Sequence, residues 1–432
     1  MSVDTDYDRY LENLCSVIGG NDKRQDAFQS YCKGLMLPLQ RKSVEPLAAH
    51  MDPKNVRSRH QSLHHFVADS PWSDSALLEC VEEQVNELMD QTAQRYWLVD
   101  DTGMPKKGKH SVGVSHQYCG QVGKQANCQV AVSVSLATEA ASVPVAYRLY
   151  LPKSWCEDAE RRGKVGVPED VTFQTKPEIA LNQLSEAQER TGAAEPIVVA
   201  DAGYGNGEQF REGVDALGLQ YMVGIQTSTS VWAPWTTPKA ERRRPGSKRV
   251  APSRQRFAKD HRPQSVMELA LEVHRDAWSK VSWREGTNEM LSSRFAAIRL
   301  SVAHNDRPNT EQRDEQWLLI EWPKEEPEPT KFWLSTLPAT ASKRQLVQVA
   351  KIRWRIERDY QELKDELGLH QYEGRNWRGF HHHASLCIAA YGFLITQRLR
   401  FPSKKKVRPA SKITSLPEGY VPRGAAANAT SC

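Results

Sequence analysis

The chain has 432 residues, 39% of them hydrophobic and 26% charged, with a net charge of +5. That is enough material for two or three domains with their own cores. A mean hydropathy of −0.62 and the lack of any run of about eighteen apolar residues exclude a protein built from membrane-spanning helices. The acidic start MSVDTDYDRYLENL has no apolar signal-peptide core, so the expected compartment is the cytosol, with no membrane partner. Eight cysteines are scattered without a C-x-x-C pair, which fits buried thiols better than a zinc site or a disulfide framework.

The charge is unevenly spread. From Lys239 to Arg262 there are ten Lys or Arg against Glu241 and Asp260, and from Arg398 to Cys432 eight against Glu418. The remainder is net acidic. Two basic segments on an acidic protein point to a polyanionic partner.

Residues 1–90 read as a helical N-terminal domain with possible DNA binding, on the apolar spacing of DAFQSYCKGLML and SALLECVEEQVNELM; Ser73 or Asp74 can cap the second helix. From Tyr96 the pattern turns to strands. RYWLVDDTG, NCQVAVSVSLAT and SVPVAYRLYLP read as a three-stranded antiparallel meander, followed by a helix in KPEIALNQLSEAQERTG, a strand in PIVVADAGYG, a helix in NGEQFREGVDALG and a strand in YMVGIQ. Three strands, helix, strand, helix, strand is the order of an α/β ribonuclease H-like mixed sheet, because a doubly wound fold would put a helix after its first strand. Residues 227–340 read as a basic loop and a β-rich insertion, with MELALEVHRDAW, SRFAAIRLSVAHN, EQWLLIEWP and KFWLSTLP as strand-like pieces. The catalytic domain is expected over 91–395, and 396–432 as a basic, disordered tail.

Three carboxylates stand out. Asp101 and Asp201 end strands expected to be neighbours, and Glu357 lies in RWRIERDYQELKDELGLHQYEGR, where Arg353, Glu357 and Lys364 fall within about 40° on a helix, beside an apolar stripe of Ile352, Ile356, Leu363 and Leu367. Hard oxygen ligands of this kind suit Mg²⁺ or Mn²⁺, and a pair of such ions can activate a water and stabilise the leaving oxygen of a phosphodiester. Asp100 rivals Asp101, since a central strand is covered on both faces. GMPKKGKH, from Gly103 to His110, matches G-x-x-x-x-G-K but offers His110 in place of Ser or Thr, and a strand is expected where a P-loop needs a helix. His381, His382, His383 and Cys387 are too close in sequence to converge on a metal. GYGNG, from Gly203, reads as a tight strand-to-helix turn.

DDTGMPKKGKHSVGVSHQYCGQVGKQANCQVAVS, VVADAGYG, WLLIEWP, FWLSTLP and the Arg353–Arg375 stretch together resemble the DDE transposases of bacterial insertion sequences, in the branch numbered seven hundred and one, related to the larger insertion-sequence-four group. The resemblance runs from about Phe28 to about Arg375. It implies a catalytic and metal-binding triad of Asp101, Asp201 and Glu357, and favours Asp101 over Asp100 because Asp directly precedes Thr. It also implies double-stranded DNA, both element ends and target, as the partner, a homo-oligomer assembled on that DNA, and cleavage followed by strand transfer. Arg353 and Lys364 match the basic residues of the last helix as DNA contacts, whereas Ala350 departs from the Tyr often found there. Lys106, Lys107 and Lys109 would then reach phosphates, as would Arg242, Arg243 and Arg244 in the basic loop. Two other readings stay open: a ribonuclease H-like nuclease without strand transfer, and a catalytically inactive DNA-binding derivative.

Overall fold

The computed structural model describes residues 3–191, 195–234, 263–285, 290–303 and 314–402. Helices open the chain: α1 (Val3–Ile18), α2 (Asp22–Met36), α3 (Val44–Met51), α4 (Val56–Ala68) and α5 (Asp74–Asn86). Of the two candidate caps for α5, Ser73 is the one used, its side chain accepting the Ala76 N–H. Strands β1 (Tyr96–Pro105), β2 (Ser115–Cys119), β3 (Lys124–Ala137) and β4 (Ser142–Leu149) follow, then the short α6 (Lys153–Cys156) and α7 (Ala159–Lys164). The next elements are α8 (Lys176–Thr191), β5 (Ile197–Ala200), α9 (Ala202–Gly205), α10 (Glu208–Ala216) and β6 (Tyr221–Ile225).

These strands make one mixed sheet. β3 pairs antiparallel with β1, β4 and β2, while β5 lies parallel to β1, with Tyr96 opposite Ile197 and Val99 opposite Ala200, and β6 lies parallel to β5. The helical crossover through α8 is what lets β5 run parallel to β1. The short β2 is an addition to the expected three-stranded meander.

Beyond β6 come β7 (Ser230–Trp232), β8 (Gln264–Ser265), α11 (Val266–Glu272), β9 (Ser279–Glu285), β10 (Met290–Val302), β11 (Gln316–Trp322) and β12 (Lys331–Ser335). β12 pairs antiparallel with β6, β11 with β12 and β10 with β11, so these strands continue the sheet past β6 and satisfy its edge. MELALEVHRDAW, expected as a strand, begins instead as α11. A reciprocal capping box between Ser265 and Glu268 starts it, and Val266, Leu269 and Ala270 are buried at helical spacing. The basic loop and the tail beyond Pro402 lie outside the described residues.

The last elements are α12 (Lys343–Lys351), α13 (Trp354–Asp365) and α14 (Trp377–Arg400). The sheet separates two sets of apolar side chains. Trp97, Val99, Val198 and Ala200 pack on α8 and belong to a cluster that continues into α14 and the N-terminal helices. Tyr96, Leu98, Ile197 and Val199, of the opposite parity, pack with Leu346, Val347 and Ile356 of α12 and α13. Full burial of side chains such as Trp97, Leu98 and Val99 contributes roughly 1.5–3 kcal/mol each. The stripe beside Glu357 straddles both sets, Ile352 and Ile356 in the second, Leu363 and Leu367 in the first. Lys42 donates from Nζ to the carbonyls of Leu35 and Glu366, tying the end of α2 to the end of α13. Among the described residues no helix is long and apolar enough to cross a membrane.

Candidate active site

Strand alternation places the two adjacent acids of β1 on opposite faces. Asp101 follows Trp97 and Val99 toward α8, and its Oδ2 accepts from Lys176 Nζ at 2.8 Å and from the Tyr204 hydroxyl at 3.3 Å. Lys176 stands at the start of α8, where Thr175 and Glu178 hold each other reciprocally: the Thr175 N–H donates to Glu178 Oε2 at 2.7 Å and the Glu178 N–H to Thr175 Oγ1 at 3.4 Å. Asp100 follows Tyr96 and Leu98 toward α12 and α13. Its Oδ2 accepts from Arg353 at 2.6 Å, its Oδ1 from the Asp101 N–H at 2.8 Å. Burial pushes the Asp100 carboxyl up to about 7, opposed by Arg353 and reinforced by the charges of Asp201 and Asp101.

Asp201 directly follows β5 and caps α9, its Oδ1 accepting the Gly203 N–H at 2.8 Å. The turn after it requires glycine: a Cβ on Gly205 would lie 2.1 Å from the Gly224 carbonyl of β6. That close approach keeps Asp201 at the end of the sheet. Glu357 lies in the first turn of α13, its side chain 58% exposed, with Oε1 accepting from Arg353 at 2.7 Å. Arg353 therefore links Asp100 to Glu357, and Asp201 is near enough to act on both Asp100 and Arg353. The helix itself is pinned from below. Asp359 accepts from Ser142 at 2.7 Å and from Tyr391 at 2.9 Å, and Tyr360 pairs with Ser133 of β3 at 2.8 Å.

Among the described residues no three His, Cys, Asp or Glu side chains are gathered closely enough to hold a metal ion. The expected triad of Asp101, Asp201 and Glu357 is thus brought to one end of the sheet but not into a ready ligand set, and the carboxylate facing the Glu357 helix is Asp100. The donors nonetheless fit a divalent cation in kind, being carboxylate oxygens from three elements. Each is met by positive charge or an N–H donor already: Lys176 at Asp101, Arg353 at Asp100 and Glu357, Gly203 at Asp201.

The expected phosphate contacts divide. Lys107 and Lys109 are exposed. Lys106 instead donates to the Tyr372 carbonyl at 2.7 Å, and burial lowers its pKa to about 8. Lys364 donates to the Gly103 carbonyl at 3.0 Å with 9% exposure. Each ammonium group already has a backbone oxygen inside the fold as one of its partners. Ala350, where the related pattern has Tyr, is buried. Arg242, Arg243 and Arg244 lie outside the described residues. Gly103 to His110 forms no P-loop, since β1 runs on to Pro105 and no helix follows. The three adjacent histidines are core residues, each with its pKa lowered to about 4 by burial. The reading of the sequence missed Lys176 and Tyr204; the only local signals were the T-K-P-E helix start and the Tyr of VVADAGYG.

The family described as DDE superfamily endonuclease matches residues 13–290, a span that contains Asp100, Asp101, Lys176 and Asp201 and stops before Glu357. The chain is also 29% identical over 204 residues to a protein of Microchaete diplosiphon named as a probable transposase for insertion sequence element IS701, which is 47% of this chain and 49% of that protein. The chain spans about half the length of this curated relative. With a mixed sheet in which Asp100 and Asp101 lie within β1, not at its end as the sequence suggested, and Asp201 directly follows the parallel neighbour β5, and with a family match over more than half its length, this chain belongs to the DDE superfamily of endonucleases.

Proposed function

We propose that this chain is the transposase of a bacterial insertion sequence, one that binds the ends of its element, cuts them and joins the freed ends to target DNA. The observation that carries this reading is the meeting of β1, the end of β5 and the start of α13 at one end of the sheet, where Asp100, Asp101, Asp201 and Glu357 alternate with Arg353 and Lys176. Asp101, Asp201 and Glu357 would hold Mg²⁺ or Mn²⁺. When bound, such ions supply an activated water or hydroxyl and stabilise the leaving oxygen of the phosphodiester. Arg353 and Lys176 hold the carboxylates in place and, with the exposed Lys107 and Lys109, bring positive charge to the approaching phosphates. The helices within residues 1–90 form the DNA-binding domain, residues 91–395 the ribonuclease H-like catalytic domain with its insertion at 227–340, and the protein assembles as a homo-oligomer on DNA.

Replacing Glu357 with Ala tests the mechanism: cleavage of element-end DNA in Mg²⁺ should vanish while affinity for that DNA stays within about twofold, a change under about 0.5 kcal/mol. Cleavage retained by the variant would remove Glu357 from the mechanism. Inverted repeats flanking the gene, with joined products in a strand-transfer assay, separate a transposase from a nuclease that only cuts.

A further inference from the structure

Asp100 has no role in the triad, yet it is the better anchored of the two acids on β1. β1 is flanked by β3 and β5, the Asp100 side chain is 15% exposed, and both its oxygens are engaged, Oδ1 by the Asp101 N–H and Oδ2 by Arg353. Glu357 is the opposite case. It is 58% exposed, it has three side-chain torsions to restrain, and it sits in the first turn of a helix whose N-cap position, Arg353, makes no side-chain capping bond. Among the described residues, the Glu357 carboxylate is partnered by Arg353. The two guanidinium nitrogens of Arg353 are divided between the acids, NH1 to Asp100 at 2.6 Å and NH2 to Glu357 at 2.7 Å. A planar fork held at one prong by a strand carboxylate presents its other prong in a set direction.

We propose that Asp100 is a positioning residue, which through Arg353 fixes the direction of the Glu357 carboxylate. This rests on the reading of Glu357 as a metal-holding acid. The rigid partner is the central strand and the mobile one is the helix side chain, so order passes from Asp100 to Glu357. Arg353 takes only Oε1 of Glu357. A group acting in this way belongs to the shell that orients a ligand, where substitutions cost about 10-fold or more in metal affinity.

The test is a double-mutant cycle on Mn²⁺ binding by the full chain, read from water-proton relaxation in wild type, Asp100→Ala, Glu357→Ala and the double variant, with thermal unfolding of each recorded. Glu357→Ala is expected to weaken Mn²⁺ binding by about 10-fold or more and Asp100→Ala by about 10-fold. The double variant should bind no more weakly than Glu357→Ala alone, because Asp100 acts only through Glu357. Arg353→Lys, whose single ammonium lacks the fork, should match Asp100→Ala. Losses that multiply in the double variant would make Asp100 an independent ligand or a simple charge, and overturn the proposal, as would unchanged affinity in Asp100→Ala. Should Asp100→Ala fail to fold, Asp100→Asn keeps the volume and removes the ion pair, and the same cycle decides. DNA cleavage by the same preparations is scored separately. Wild type that binds Mn²⁺ without cutting DNA overturns the cutting reading and leaves the cycle legible, whereas wild type that binds no Mn²⁺ overturns both.

Discussion

His381 illustrates what a buried side chain is required to do here. The Leu149 N–H donates to its Nε2 at 3.2 Å, while Nδ1 lies 2.9 Å from the Trp377 carbonyl. Only the neutral ring with its proton on Nδ1 satisfies both partners. A charged ring would set a second N–H against that of Leu149. Burial lowers the pKa to about 4, with Arg148 lowering it further and the Trp377 carbonyl opposing. A depressed folded-state value means that the residue's contribution is fully present above the unfolded histidine pKa of about 6.5 and is lost as pH falls through 4. The advantage of wild type over His381→Gln in denaturant midpoint should therefore be constant above about pH 6.5 and shrink from there to pH 4. An advantage independent of pH over that window would show that the ring is not held neutral. Lys106 and Lys364 follow the same physics: a cation with a backbone carbonyl as its partner is part of the fold before it is a ligand for anything else.

At the scale of elements, one of the ties between the strands after β6 and the last helices is Lys351 of α12, beside Lys343 of the same helix, which donates to Ala277 and Ser279. Lys351 lies over the rings of Trp283 at 4.5 Å, Trp333 at 5.3 Å and Phe295 at 5.5 Å, and pairs with Glu321 of β11 at 2.6 Å. Side-chain exposure is 14% for Lys351 and 6% for Glu321, so neither charge is replaced easily by water. Lys351→Ala should cost about 3–5 kcal/mol in chemical denaturation, the range for leaving one member of a buried pair alone. Adding Glu321→Gln to Lys351→Met should recover most of that loss, since the uncompensated charge is then gone. A loss in the double variant equal to the sum of its single losses would place the stability in the aromatic packing instead. Between α12 and α13 the backbone turns at Ile352 and Arg353, so the stretch that reads as one amphipathic run starts a new helix just before Glu357.

For the whole molecule, the segment from Lys239 to Arg262 carries ten basic residues in a chain of net charge +5, and it lies between Asp201 and Glu357 in sequence. Neutralising Arg242, Arg243 and Arg244 together should weaken binding to all duplexes alike and make the slope of log affinity against log salt shallower by about 2–3, at roughly 0.9 for each phosphate no longer neutralised. An unchanged slope would mean the segment does not touch DNA, and a loss confined to one sequence would mean it reads bases.

Periodicity and composition were sufficient for what depends on neighbours in the chain. The alternation around Asp101, the strand ending at Asp201 and the apolar stripe beside Glu357 are all legible, because a strand repeats every two residues and a helix every 3.6, and the order of elements makes the two strands neighbours. MELALEVHRDAW reads as a strand on its apolar residues alone; the local signal of its helix is the Ser265 and Glu268 capping box. What the sequence could not decide was set by partners far away along the chain. Whether Asp100 or Asp101 faces Glu357 depends on which side of the sheet α13 packs; whether Lys106 and Lys364 are free depends on the carbonyls of Tyr372 and Gly103; and Lys176 reaches Asp101 across 75 residues. An ion pair or a buried carbonyl leaves no period in the sequence, so only the packing of distant elements determines which charges in this protein are available for chemistry and which are spent on the fold.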